Sequence, residues 1–356
     1  MNNLSTAEGK DFFKVIRYIV YAGVILYFGR TILIPLSFSL LIAFLVYPVC
    51  AWLEKKKFSR MTASMTGVSL VVLFVAAMLT LLANLFLRFA GQWNDLKEKL
   101  FISLQNTVTY IGSSLSINEE QQAAWLKNVI DQSSSQFLPF LRTTIYESSV
   151  WLVLVILIPI LSILILYYRR MLAEFLFLLF PSEPKEFIID ILHLSITSYY
   201  NFIKGMVIVY FVVGTLNSIG LALLGIPNAI LFGFVVSIMT FIPYIGVIVA
   251  SLLPITVSWL VYDSIWYPLG VVALFTFVQY LEANLIFPLA VSNRLKINAL
   301  VALVVILLGG LLWGVSGMIL FIPFAAILKL IADRTEKLKI LSVLLGDGKF
   351  QQKNNP

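Results

Sequence analysis

From Gly205 to Tyr262 the chain carries no Asp, Glu, Lys or Arg, yet Pro227, Pro243 and Pro254 interrupt the run. A membrane helix needs only ~20 mostly apolar residues, so this stretch holds more than one. Proline inside a helix removes a backbone donor and clashes with the preceding turn. In lipid, every backbone polar group must find a partner within the protein. Broken backbone at membrane depth is therefore tolerated only where protein buries it or a cavity meets it. A plain anchor has no use for such breaks, whereas proteins that move solutes do. At the centre of the run sits Phe241-Ile242-Pro243-Tyr244-Ile245-Gly246. Beyond it come Gln279-Tyr280-Leu281-Glu282-Ala283-Asn284 and Pro288.

Composition agrees. Hydrophobic residues make up 60% of the 356 and charged residues 12%, against ~45–50% and ~25% in soluble domains. The chain reads as all-α, a polytopic helical membrane protein with about eight hydrophobic segments. Broken or re-entrant helices are expected in the C-terminal half, with a small amphipathic helical subdomain outside the membrane. The single cysteine, Cys50, and single histidine, His193, leave no material for a disulfide within the chain, a Cys/His metal site or a Ser-His-Asp triad. The motifs HExxH and GxSxG and the phosphate-binding GxxxxGK[ST] loop are absent. No enzyme, metal site or cofactor is expected, and no basic aromatic face suggests nucleic acid.

Taken in order, residues 1–87 hold three spans, about Phe13–Leu33, Ile34–Leu53 and Thr62–Phe86. Pro35 opens the second and Pro48 closes it. The first follows Lys10, Lys14 and Arg17 like a signal peptide. It lacks a small-residue cleavage site and reads as a retained span. Residues 88–149 are charged and amphipathic, with Ser116-x-x-Glu119 as a capping box. They form the extramembrane subdomain, a cover, an assembly element or a solvated connector. Residues 150–204 read as a span kinked by Pro159, stopped by Arg169-Arg170, then an interfacial helix over about Lys185–Tyr200 that carries His193. The core transport region is 205–331, and 332–356 is a basic cytoplasmic tail.

The basic segments (the N-terminus, Lys55–Arg60, Arg169–Lys204 and the tail) orient the chain with both termini in the cytoplasm. Both termini inside requires an even number of net crossings, so Ala229–Val261 must cross once overall. If Ala229–Val261 instead doubles back, the basic tail falls outside. Arg294 and Lys296 sit on the outer side under the first option, so the two readings stay open.

The ordered set Leu224-Gly225-Ile226-Pro227, Phe241-Ile242-Pro243-Tyr244-Ile245-Gly246, Pro254, Gln279-Tyr280-Leu281-Glu282, Pro288, Gly309-Gly310, Gly314, Gly317 and Pro323 resembles the autoinducer-2 exporter family, bacterial permeases of the PerM type. The resemblance covers nearly the whole chain, including the Pro35–Pro48 span and its basic loop. Lys204-Gly205-Met206 stands where the family commonly has a Gly-Gln pair, and Val247 where it often has proline. What the resemblance implies is an inner-membrane permease, self-associating, for a small polar solute or for cation/proton antiport. A non-transporting scaffold or assembly factor is the alternative from another class.

Two features carry the expected mechanism. Pro243 frees a carbonyl near Met239, and Gly246 lets the chain leave helical angles, so the pair suits a broken helix facing a cavity. Glu282 is a carboxyl between apolar runs, where a charge costs ~2.5–3.5 kcal/mol at the bilayer centre. It should face a cavity or partner and couple a proton or cation to transport, or else brace the broken helices. Gln279 shares its face. Pathway candidates are Glu282, Gln279, Pro243, Tyr244, Gly246, Asn217 and Asn284. Pro227, Pro254, Pro288, Gly310, Gly314 and Pro323 are break or packing positions, with Gly310-x-x-x-Gly314 as a close-packing motif. Asp263 reads as an interfacial helix cap. A second interruption is expected over Gly317–Pro323.

Overall fold

The computed structural model describes residues 17–18, 20–91, 102, 149–241, 245–262, 264–292 and 297–346. Outside them lie Pro243, Tyr244 and Asp263, the loop of Arg294 and Lys296, and nearly all of the expected 88–149 subdomain. Every regular element among the described residues is helical. Five helices are long and apolar enough to cross a membrane, or six if one bent pair counts as a span. The chain is a polytopic helical membrane protein.

By internal contacts it divides into two units, 1–68 with 157–206 and 289–356, and 69–156 with 207–288. In the first unit a helical run through residue 28 reaches a turn at Gly29, and α1 follows over Arg30–Lys55. The break thus falls at Gly29, not Pro35, which lies buried in the second turn of α1. A serine one turn on ties this part of α1 to residue 158. The Ser39 hydroxyl lies 2.6 Å from the Pro35 oxygen and 3.0 Å from the Ile158 oxygen. The next helix, α2 (Arg60–Gly91), begins after Ser59, whose Oγ accepts the Thr62 N–H at 3.2 Å as an N-cap.

Helix α3 (Ser149–Tyr167) contains Pro159, and α4 (Arg169–Leu179) leaves it at 71°. A helix so bent does not continue the span. Nothing in α4 is buried, and Met171, Leu172, Phe175, Leu178 and Leu179 form an exposed apolar stripe. That is the pattern of a helix lying in the membrane surface. The sequence placed an interfacial helix at Lys185–Tyr200. Those residues begin one continuous helix, α5 (Lys185–Leu223), 39 residues long. No proline or glycine separates Tyr200 from Phe202, so nothing stops the helix where its polarity changes.

The second unit contains the far half of α5, then α6 (Ala229–Met239), α7 (Ile245–Tyr262) and α8 (Trp266–Leu281). Gly225 (φ +73°) and Asn228 (φ 56°) turn the chain around Pro227. Helix α6 then runs back antiparallel along α5. Ser237 Oγ donates to the Tyr210 oxygen (2.6 Å), a Cβ on Gly214 would sit 2.7 Å from the Phe234 ring, and Ser218 Oγ reaches the Ile230 oxygen (3.2 Å). At the same crossing, a Cβ on Gly233 would meet the Ser218 backbone nitrogen at 2.5 Å. These small residues let the backbones approach. At the far end of α7 the Tyr262 hydroxyl donates to the Gly225 oxygen (2.6 Å). The α6–α7 pair therefore ends beside the point where it began. Leu221, Val235, Val236, Val271 and Phe275 are the buried core of this unit.

After α8 come two π-helical turns, Glu282–Ile286 and Pro288–Ser292. The second, in the first unit, packs on α5 at Gly205, where a Cβ would sit 2.5 Å from the Ala290 oxygen. The last apolar run is α9 (Ala299–Arg334), and it is not one straight helix. Gly314 has φ 60°, ψ −143° inside it, a conformation essentially restricted to glycine. The Gly309 and Gly317 backbones are in direct contact, although eight residues of straight helix span ~12 Å. The chain folds back at Gly314. Asn298, before α9, donates to the Leu344 and Gly346 oxygens (2.9 and 2.8 Å) of the closing helix α10 (Lys339–Leu345). Lys329, near the end of α9, packs against Gly346 and pairs with Asp333. Both ends of α9 thus lie together. The interruption expected at Gly317–Pro323 is at Gly314, and Pro323 is buried in a helical arm. Gly314 is the turn itself, while Gly309, Gly310 and Gly317 make the close contact.

Candidate functional site

Along α8 the buried positions are Pro268, Val271, Phe275 and Val278. That spacing marks the helix's packing face. The next position on it is Glu282, only 8% exposed. A carboxyl thus occupies a place where the pattern calls for an apolar side chain. Its Oε2 is buried without a hydrogen-bond partner among the described residues, which is costly in a low-dielectric setting. Backbone geometry is irregular at the same point. Glu282 opens a π-helical turn, a local widening often found at functional sites. Asn284, placed by the sequence among the pathway residues, is exposed and donates from Nδ2 to the Tyr280 oxygen (2.9 Å). That bond serves a carbonyl of its own helix beside the widened turn.

A second orphaned group lies within electrostatic range of Glu282, the phenol of Tyr210 on α5. Its hydroxyl is also buried without a hydrogen-bond partner. Two turns further along α5, Asn217 is 2% exposed and its Oδ1 is likewise unpartnered. Sequence reasoning missed Tyr210. The signal was available, since Tyr210 and Asn217 are seven residues apart and so share a helix face in an otherwise apolar stretch. Both project from the segment of α5 that packs against α6.

The other sequence candidates are more scattered. Gly246 is buried in the first turn of α7. Gln279 is half-buried one turn before Glu282 and makes no side-chain hydrogen bond among the described residues. No hydrogen bond among the described residues joins Gly246, Gln279 or Asn217 to Glu282. Pro227 is exposed in the α5–α6 turn, Pro254 is buried inside α7, and Pro288 opens the second π-helical turn. Of these groups, Glu282 and Tyr210 lie within electrostatic range of each other, and Asn217 lies farther along the face of α5.

A helical membrane protein with broken spans and a buried, unpaired carboxyl invites comparison with transporters. The sequence profile described as AI-2E family transporter matches residues 16–337. The chain belongs to the AI-2E transporter family. Among its relatives is YrrI of Bacillus subtilis, named as a candidate transport protein. It is 25% identical over 311 residues, 84% of this chain and 85% of that one. YhhT of Escherichia coli, named in the same way, is 22% identical over 335 residues, 93% and 92% of the two chains. The Escherichia coli AI-2 transport protein TqsA is 22% identical over 329 residues, covering 90% and 91%. The AI-2E family assignment makes this chain a membrane transporter by family.

Proposed function

We propose that the chain carries a small polar solute across the bacterial inner membrane through a polar site at Glu282 and Tyr210, with a proton or cation coupled through Glu282. The observation that carries this reading is the unpartnered Oε2 of Glu282 on the packing face of α8. A carboxyl kept there without a protein partner is suited to a transient one. Tyr210 can donate to or accept from the same ligand. Asn217 extends the polar face along α5. Pro243, Tyr244 and Gly246, read from the sequence as a helix break, belong to the same proposal. The relative named for AI-2 transport makes a furanone-type signal the first solute to try. A cation/proton antiporter is the second reading, and the acidic character of the orphaned group supports it. Self-association, implied by the family resemblance, belongs to the same proposal.

The test is flux in vesicles reconstituted with the full chain. A proton gradient is imposed, and sodium, lithium or a furanone-type signal is added. Dissipation by the signal supports solute transport, and dissipation by sodium or lithium supports antiport. Glu282→Gln keeps the shape and loses the charge, so it should abolish coupled flux. Transport unchanged in that variant would refute the coupling role. No flux of any probe by a folded wild-type protein would favour a scaffold.

A further inference from the structure

Arg60, at the start of α2, and Arg170, at the start of α4, line one open cavity of 560 Å³ together with Ser59, Met61, Tyr167, Tyr168 and Met171. Neighbouring charges are already committed. Arg169 pairs with Glu54 at 2.5 Å and stacks on Tyr47 at 5.3 Å. Lys56 lies over the Trp52 ring at 3.9 Å. Arg60 and Arg170 have no acidic partner among the described residues. The cavity is thus cationic and unneutralised, with two arginines able to grip one phosphate. Its walls are aromatic and thioether, the chemistry of the membrane–water boundary.

What lies beside it identifies the occupant. The cavity continues onto α4, whose Leu172, Phe175, Leu178 and Leu179 are exposed along one stripe. A molecule with its phosphate between Arg60 and Arg170 would lay apolar chains on that stripe. We infer that this groove binds the headgroup of an anionic glycerophospholipid from the surrounding leaflet. Zwitterionic lipids are disfavoured because their ammonium group meets the same two guanidinium charges. Basic pockets between membrane helices bind anionic headgroups on this principle.

The experiment titrates fluorescent phosphatidylglycerol into full-length protein in neutral detergent micelles, with phosphatidylcholine as the comparison lipid. Wild type should prefer phosphatidylglycerol. Arg60→Gln with Arg170→Gln should weaken that binding by about 30-fold, at about fivefold per arginine. Lys55→Gln with Lys57→Gln removes equal charge from the same loop and should cost much less. Equal losses in the two pairs would reduce the effect to surface charge and overturn the site. Equal affinity for the two lipids would overturn it as well. Displacement by inorganic phosphate alone would mark a soluble anion as the ligand and refute a lipid. Should the arginine pair fail to fold, Met61→Glu sets a negative charge in the exposed groove and must also weaken binding.

Discussion

The fold-back at Gly314 can be tested by asking where the two ends of α9 emerge. Its arms are 299–313 and 315–334, ~22 Å and ~30 Å long at 1.5 Å per residue. The first arm is shorter than a ~30 Å hydrocarbon core, so the stretch enters and returns. Single cysteines at Leu300 and Glu336, in a Cys50→Ser background, should react with a membrane-impermeant maleimide from the same face of sealed vesicles. Modification from opposite faces would refute the hairpin outright. The perturbation that should loosen it is Gly317→Ala. Its methyl would overlap the Gly309 carbonyl oxygen, a backbone atom that cannot rotate aside. Overpacking of this kind costs ~1–3 kcal/mol, and more where nothing yields. Gly314→Ala is the cleaner contrast. Nothing lies within 4 Å of the added Cβ, so its cost is the positive-φ backbone alone, ~1–3 kcal/mol. Spin labels at Leu303 and Leu328 should give a broader distance distribution in Gly317→Ala than in wild type. An unchanged distribution in a folded Gly317→Ala protein would mean that the Gly309–Gly317 contact does not hold the arms together.

Further expectations follow from individual contacts. Asn298→Ala deletes bonds to the Val301 N–H and to the Leu344 and Gly346 oxygens, each worth ~0.5–1.5 kcal/mol, so limited proteolysis should cut near α10 sooner. Gly233→Val drives a branched side chain into the Ser218 backbone, and thermal unfolding should show a loss of ~2 kcal/mol or more. Asp190→Asn removes the exposed pair with Arg334 and should change stability by less than ~1 kcal/mol. Tyr210→Phe keeps the ring and deletes the orphaned hydroxyl. Solute flux should fall while expression and melting stay near wild type, and unaltered flux would remove Tyr210 from the pathway.

Spans and breaks were legible where a single residue type decides them. Uncharged length announced the membrane helices, and Pro227 with Gly225 announced the turn into α6. The close crossing of α5 with α6 rests on small residues, because only a missing or short side chain permits that approach. Other features depend on partners far along the chain. Pro35 looks like a helix start in isolation, yet it sits inside α1 with Ser39 bridging to Ile158. Gly310-x-x-x-Gly314 matches a packing motif by spacing, and spacing says nothing about which glycine adopts positive φ. Glu282 stood out as a charge in an apolar run. Tyr210 did not, since a tyrosine in a membrane helix is ordinary until its hydroxyl is seen to lack a partner.

Topology follows from two contacts that no periodicity reveals, and it yields a last prediction. Tyr262 touches Gly225, so α6–α7 returns to the side it left. Asn298 touches Leu344–Gly346, so α9 does the same. Treating the last run as one crossing had forced a choice between a crossing α6–α7 and a basic tail on the wrong side. With both segments returning, that conflict disappears. With the Lys55–Arg60 loop in the cytoplasm, α2 would lead out, α3 back to Arg169-Arg170, and α5 out to Gly225. The α6–α7 pair would stay on that outer side, and α8 would return the chain to the cytoplasm. The α9 hairpin would then leave the tail there, as the positive-inside rule asks. Cysteines at Leu223 and Ile265 should therefore label from outside, and those at Lys56, Leu300 and Glu336 from the cytoplasm. If Leu223 and Ile265 label from different faces, α6–α7 crosses the membrane and this topology fails.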